Sequence, residues 1–203
     1  SKEGYVNLLH GKNKSGSLIG DNRDMANARK LFLNKGYFSA LSDGLTDTIK
    51  ELTPPSPVLC DICCGEGYYS SLVAQALNAP LTGLDISKEA VRCAAGKYKN
   101  AQWICGSAAR LPVQTDSVGL LTSLFALTVP EEFRRVLKKD GLYFQVLAAQ
   151  DHLLGLKGII YDELIFRDKD STPELSGFTR LESIPIRFTF TVEDWGVEDV
   201  FEF

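Results

Sequence analysis

Apolar positions in this 203-residue chain fall into short runs, separated by stretches in which they recur at helical period. Val58, Leu59, Cys60 and Ile62 form a run of strand length, and Gly65 and Gly67 open the backbone just beyond it. Further strand-like runs follow at residues 81–85, 101–105, 117–125 and 141–147, and the intervening segments read as helices. Residues 130–139 begin with proline, carry Glu131 and Glu132 in the first turn and end on Lys138 and Lys139. That is the charge order a helix dipole favours. Ahead of the first run, Met25, Ala28, Leu31 and Phe32 recur at helical spacing, Gly36 breaks the pattern, and a second helix runs to Leu52. The proline-rich stretch 54–57 marks a hinge. Residues 178–192 read as two β segments around Pro185, and residues 200–203 as a last short strand. The alternation predicts a doubly wound α/β domain over residues 56–203, finished by antiparallel strands, with residues 1–55 as an N-terminal helical extension.

The first strand and its turn hold the candidate chemistry. Asp61 precedes Cys64-Gly-Glu-Gly67, and a strand that opens through glycines into a helix lets a ligand approach the backbone closely. A dinucleotide fingerprint would want a third glycine where Ser70 stands, and Asp61 would repel a pyrophosphate. The acidic turn suits a ligand with an ammonium group, such as S-adenosylmethionine, although many α/β proteins place such a turn here without binding anything. Asp85 ends the second strand at about the separation (roughly 20 residues) where nucleotide-binding units put a carboxylate on ribose hydroxyls. Ser87 is placed to cap the next helix. After the third strand, the Ser107–Ala108 backbone could meet an adenine edge, because small side chains leave room for a flat ring.

Composition narrows the field. With 44% hydrophobic residues the chain can bury one good core, and no apolar run approaches the roughly 20 residues of a membrane helix. The polar N-terminus shows no signal peptide, and the expected location is cytoplasmic. Cys60, Cys63, Cys64, Cys93 and Cys105 are read as structural thiols, four on strands and Cys93 on a helix. Cys60-x-x-Cys63 has no second pair with ligand spacing, so no metal site is expected. The net charge of −4 argues against a generally basic nucleic-acid surface. Lys12, Lys14, Arg23, Arg29, Lys30 and Lys35 nevertheless concentrate near the N-terminus, as a solvated face or a phosphate track. His152 follows the carboxyl end of the fifth strand, where α/β ligands bind. Tyr37 and Phe38, in the break between two helices, read as core residues or as a cover for a ligand.

Several segments taken together resemble a known family. These are Lys2-Glu-Gly-Tyr-Val-Asn-Leu-Leu9, the Met25, Ala28-Arg29, Phe32-Leu33 and Gly36 pattern, Cys64-Gly-Glu-Gly-Tyr-Tyr69, Gly83-Leu-Asp-Ile-Ser87, and the stretch from His152 to Tyr161. They are similar to the bacterial 23S ribosomal RNA guanine-N1 methyltransferases, which modify a hairpin loop lining the peptide exit tunnel and some of which confer macrolide resistance. The resemblance implies a Rossmann-like class I methyltransferase sheet, S-adenosylmethionine as cofactor and 23S ribosomal RNA as partner; a homodimer is a candidate assembly that neither the residues nor the resemblance assigns.

For the site, the resemblance implies cofactor contacts from Phe38, Gly65, Glu66 and His152, beside Asp61, Gly67, Asp85, Ile86, Ser107 and Ala108. It assigns no catalytic residue. Cys63 stands where the family usually has glycine, the stretch after Phe125 lacks the usual proline-containing loop, and residues 1–203 hold no counterpart of the family's N-terminal zinc module. The mechanism implied is in-line displacement at the sulfonium methyl by guanine N1, with positioning as the main contribution. The N1 proton needs an acceptor, for which His152 and Asp151 are candidates. A methyltransferase with a small-molecule acceptor would share every cofactor motif and is the alternative.

Overall fold

The computed structural model describes residues 1–9, 20–161, 163 and 174–191. Its centre is a six-stranded parallel sheet of β1 (Tyr5–Asn7), β2 (Leu59–Ile62), β3 (Leu81–Asp85), β4 (Gln102–Cys105), β5 (Val118–Leu124) and β6 (Leu137–Val146), in the order β1-β4-β3-β2-β5-β6. The chain moves outward from β2 through β3 to β4, then returns to lay β5 against the other side of β2. A crevice therefore opens at the carboxyl ends of β2 and β5, the topological switch point where ligands of open α/β sheets bind. On one face α2 (Ser39–Leu52), α3 (Tyr68–Leu77) and α4 (Lys88–Lys97) pack through Leu45, Ile49, Val73, Val91 and Ala94. On the other, α5 (Pro130–Val136) packs through Phe133 and Val136. This is the doubly wound arrangement that the alternation predicts. Among the described residues, no helix is long and apolar enough to cross a membrane.

Four details differ from expectation. Tyr5–Asn7, not foreseen as a strand, extends the sheet beside β4 because Tyr5 inserts its ring into the core. Helix α1 (Arg23–Asn34) starts at the Asn22 cap but buries Ala26, Phe32 and Leu33, while Met25 and Leu31 point outward. Helix α5 stops at Val136, so its last turn carries Arg134 and Arg135 rather than Lys138 and Lys139. Val118 pairs with Leu137 and Leu120 with Leu142. The two lysines therefore sit in a bulge at the start of β6, an exposed place that suits their charge. Residues 178–191 form no strand: Pro185 removes a donor, and Phe188 and Phe190 instead pack beside Phe32 and Phe38. No antiparallel strand therefore appears among the described residues, and the strand expected at 200–203 lies outside them.

Trp103 locks the sheet to the glycine turn. Its indole is buried, and Nε1 donates to the Tyr98 carbonyl at 2.9 Å. A Cβ at Gly83 would lie 2.3 Å from this ring, and one at Gly67 would lie 2.5 Å from it. Both glycines are required by close approach, and the tip of the indole sits directly beneath the turn. Gly83→Ala should destabilise the fold by about 1–3 kcal/mol through overpacking, read as a lower denaturant midpoint. Adding Trp103→Phe should recover part of that loss, whereas equal loss in the double variant would deny the contact.

Candidate functional site

The crevice is built around two carboxylates, one buried and one half-buried. Asp61, at the end of β2, is fully enclosed. Thr122 on β5 donates its hydroxyl to one Asp61 oxygen at 2.6 Å, and Ser70 on α3 donates to the other. Asp61 thus joins β2, β5 and α3 beneath the turn rather than opening directly toward a ligand. Asp85, at the end of β3, accepts the Gly65 N–H at 2.9 Å and the Ser87 N–H at 2.7 Å. Carboxylates have about four acceptor sites, so Asp85 keeps capacity for further donors.

The turn itself is held in left-handed backbone at Cys63 (φ 59°), Gly65 (φ 56°) and Gly67 (φ 81°). Cys63 therefore occupies the conformation that favours glycine, the residue the resemblance leads one to expect there. A Cβ on Gly65 would meet nothing within 4 Å, which leaves open space above the turn. Glu66 beside it is 5% exposed. Burial pushes Glu66 and Asp85 above the usual carboxylate range, and it pushes Asp61 to about 6 against the opposing hydroxyl bonds.

Among the described residues, Arg29 of α1 and, next to it in effect, Lys97 of α4 act on Glu66 as cations. Arg29 pairs with Asp21. Burial disfavours its charge, but the Asp21 bond and the Asp21, Glu66 and Asp85 charges together raise its pKa. Asp21 accepts the Ser87 hydroxyl on its own backbone carbonyl at 2.7 Å, and Gly20 packs against Ile86 and Ser87. The segment before α1 is therefore seated on the loop after β3. Arg29 points into the site, a placement that its position within an N-terminal basic cluster did not foretell. Lys12 and Lys14 of that cluster lie outside the described residues, and Arg23 is exposed.

Three of the remaining expected residues line the β3–β4 end, and two meet at the other end. Ile86, Ser107 and Ala108 are half-buried after β3 and β4, with the Ser107 hydroxyl accepting the Ala109 N–H at 3.2 Å. Phe38, the residue before α2, is buried among Phe32, Leu41 and Phe188, which satisfies the core reading. Its ring also meets His152 edge-on at 6.1 Å. Burial first, then Lys157, lowers the His152 pKa. Asp151 is exposed and pairs with Arg187 at 2.5 Å. Phe125, which the sequence did not single out, also meets the His152 ring, at 5.5 Å.

Cys60 and Cys105 lie on strands, whereas Cys63 and Cys64 fall in the turn rather than on β2 as expected. Burial raises the Cys60 thiol to about 12 and Cys63 to about 11. Neither is a thiolate at neutral pH, which disfavours nucleophilic or ligating work.

Chemically, the crevice joins open backbone at Gly65, a buried acidic lining and one guanidinium. S-Adenosylmethionine has two cationic centres, one carboxylate and a ribose hydroxyl pair, and this donor and charge set fits it.

Residues 59–141 match the family model described as a methyltransferase domain. A Bacillus subtilis protein provisionally named 23S rRNA (guanine-N(1)-)-methyltransferase is 27% identical over 201 residues, covering 94% of this chain and 69% of the relative. The Streptomyces fradiae 23S rRNA (guanine(748)-N(1))-methyltransferase is 32% identical over 160 residues, covering 77% of this chain and 56% of that protein. The chain thus spans little more than half the length of this second relative. A Methanococcus maripaludis structure, provisionally described as an S-adenosyl-L-methionine-dependent methyltransferase, shares the fold with a TM-score of 0.55 and 19% identity, over 71% of this chain and 74% of that one. The chain carries a class I methyltransferase domain whose cofactor is S-adenosylmethionine.

The Asp61 environment can be tested without ligand. Its folded pKa lies above the unfolded value of 3.8, so the folded state binds this proton more tightly. The group's contribution favours folding below about pH 4 and is lost as pH rises through 6, a swing of at most about 3 kcal/mol. Asp61→Asn should therefore gain on the wild type in melting temperature between pH 5 and pH 8. A difference independent of pH would contradict the buried charge.

Proposed function

We propose that this class I S-adenosylmethionine-dependent methyltransferase methylates N1 of a guanine in a hairpin loop of 23S ribosomal RNA. The observation that carries this reading is the convergence of Phe38 and His152 on the carboxyl edge of the sheet. Both lie outside the matched methyltransferase domain, and the His152 segment is among the more specific points of resemblance to the ribosomal RNA family. The similarity to the Bacillus protein likewise extends over nearly the whole chain. A small-molecule acceptor is the second reading, because demethylmenaquinone methyltransferases match 42% to 48% of the chain.

In this reading the cofactor supplies an electrophilic sulfonium methyl when bound, and the protein supplies placement. Asp85 takes the ribose hydroxyls while holding the Gly65 and Ser87 amides, and Ile86 with the Ser107–Ala108 backbone borders the adenine. Gly65 and Gly67 keep the turn low enough for close approach, above the Asp61 charge. Glu66 accepts the ammonium, and Arg29 exchanges part of its Asp21 bond for the carboxylate. Phe38 and His152 close the far side. Guanine N1 carries a proton at neutral pH. His152, neutral because burial lowers its pKa, is the side chain suited to accept it, since Asp151 is engaged by Arg187. The target base must leave its loop stack to reach the crevice.

The assay uses the full-length enzyme, methyl-labelled cofactor and protein-free 23S RNA. Label should enter the RNA, and reverse transcription should stop one nucleotide before a single guanine, because an N1 methyl blocks the Watson–Crick edge. Label that enters a small acceptor such as a quinol, and never RNA, would favour the second reading.

A further inference from the structure

We infer that Phe125 is the stacking platform for the flipped acceptor base of this enzyme. The inference rests on the RNA reading above and goes beyond it by naming the residue that receives the base. Phe125 directly follows β5 with φ 53°, a left-handed backbone that is an outlier for a bulky residue. Such outliers persist where surrounding structure over-determines them, and they cluster at functional sites.

The surroundings do over-determine this one. The Phe125 N–H donates to the Val146 carbonyl on β6 at 2.9 Å. Three residues on, the Thr128 hydroxyl accepts the Gln145 side-chain amide at 2.7 Å. Between them the Leu127 backbone lies against the Cys63 thiol of the glycine turn. The loop is thus tied to β6 on one side and to the turn on the other, yet Phe125 remains 43% exposed and Leu127 79% exposed. The loop is held firmly while it presents two large apolar side chains to solvent.

The ring geometry says what the exposed face accepts. Phe38 is buried, His152 is half-buried and lies 6.1 Å from it, and the Phe125 ring lies 5.5 Å from His152 at an interplanar angle of 33°. An aromatic series that starts in the core and ends on an exposed ring is completed by another flat ring. The position selects the acceptor over the cofactor's adenine. Ile86, Ser107 and Ala108 lie beyond β3 and β4, on one side of β2, whereas Phe125 lies beyond β5, on the other.

The test compares wild type, Phe125→Trp, Phe125→Leu and Phe125→Ala in the full-length enzyme, with protein-free 23S RNA and labelled cofactor. Cofactor affinity is measured in parallel by calorimetry. Stacking on one aromatic ring corresponds to roughly ten- to a hundredfold. Phe125→Ala and Phe125→Leu should therefore lose about that much kcat/KM for RNA while cofactor Kd stays within twofold, and Phe125→Trp should recover most of the loss. Two results would overturn the inference: a leucine variant as active as wild type, or a fall in cofactor affinity matching the fall in turnover. A wild type that never labels RNA overturns the RNA reading as well, so the two failures are told apart by the wild-type arm.

Discussion

Asp85 is the point through which the carboxyl edge of the sheet is held together. One oxygen takes the Gly65 N–H and the other the Ser87 N–H, so a single side chain sets the glycine turn after β2 and the start of α4. Ser87 in turn caps α4 by accepting the Ala90 N–H at 3.1 Å and donates to the Asp21 carbonyl. The segment ahead of α1 is thereby attached to the same point, and Arg29 arrives with it. Charge-assisted bonds of this kind contribute about 1.5–3 kcal/mol each. Loss of Asp85 would therefore loosen three elements at once.

The site depends equally on an electrostatic imbalance. Asp61, Glu66 and Asp85 are all buried enough to be driven toward protonation, and Asp21 is bonded to the Arg29 guanidinium. In water such a cluster would be screened; here it is costly until cationic charge enters. Under the proposed placement of the cofactor, its ammonium and sulfonium would relieve that cost, which would link the fold's least favourable electrostatics to methyl transfer. The hydroxyls of Ser70 and Thr122 limit the cost at Asp61, the most deeply enclosed of the three.

Much of this was legible in the sequence where local chemistry decides structure. The strands that carry Asp61 and Asp85, the Ser87 cap and the glycine turn follow from short apolar runs punctuated by residues with fixed conformational roles. The three-residue β1 was too short for its period to register. The buried face of α1 was misjudged because Met25 and Leu31 share its helical spacing yet project outward. The end of α5 was overrun because helical charge order continues into lysines that a strand bulge can hold equally well. The meeting of Phe38 with His152 was suggested by family resemblance alone, since no spacing rule links segments so far apart. The left-handed backbone of Phe125 carried no signal at all, because glycine or asparagine would have marked it and phenylalanine does not.

The central claim is that Asp85 both organises the turn and receives the cofactor, and calorimetric titration of S-adenosylmethionine into Asp85→Asn tests it most directly. Asparagine keeps the size but offers one acceptor and one donor where two amides and a hydroxyl pair need acceptors. The account predicts a Kd raised roughly ten- to a hundredfold in a protein that still unfolds cooperatively. An unchanged Kd in that folded variant would contradict it.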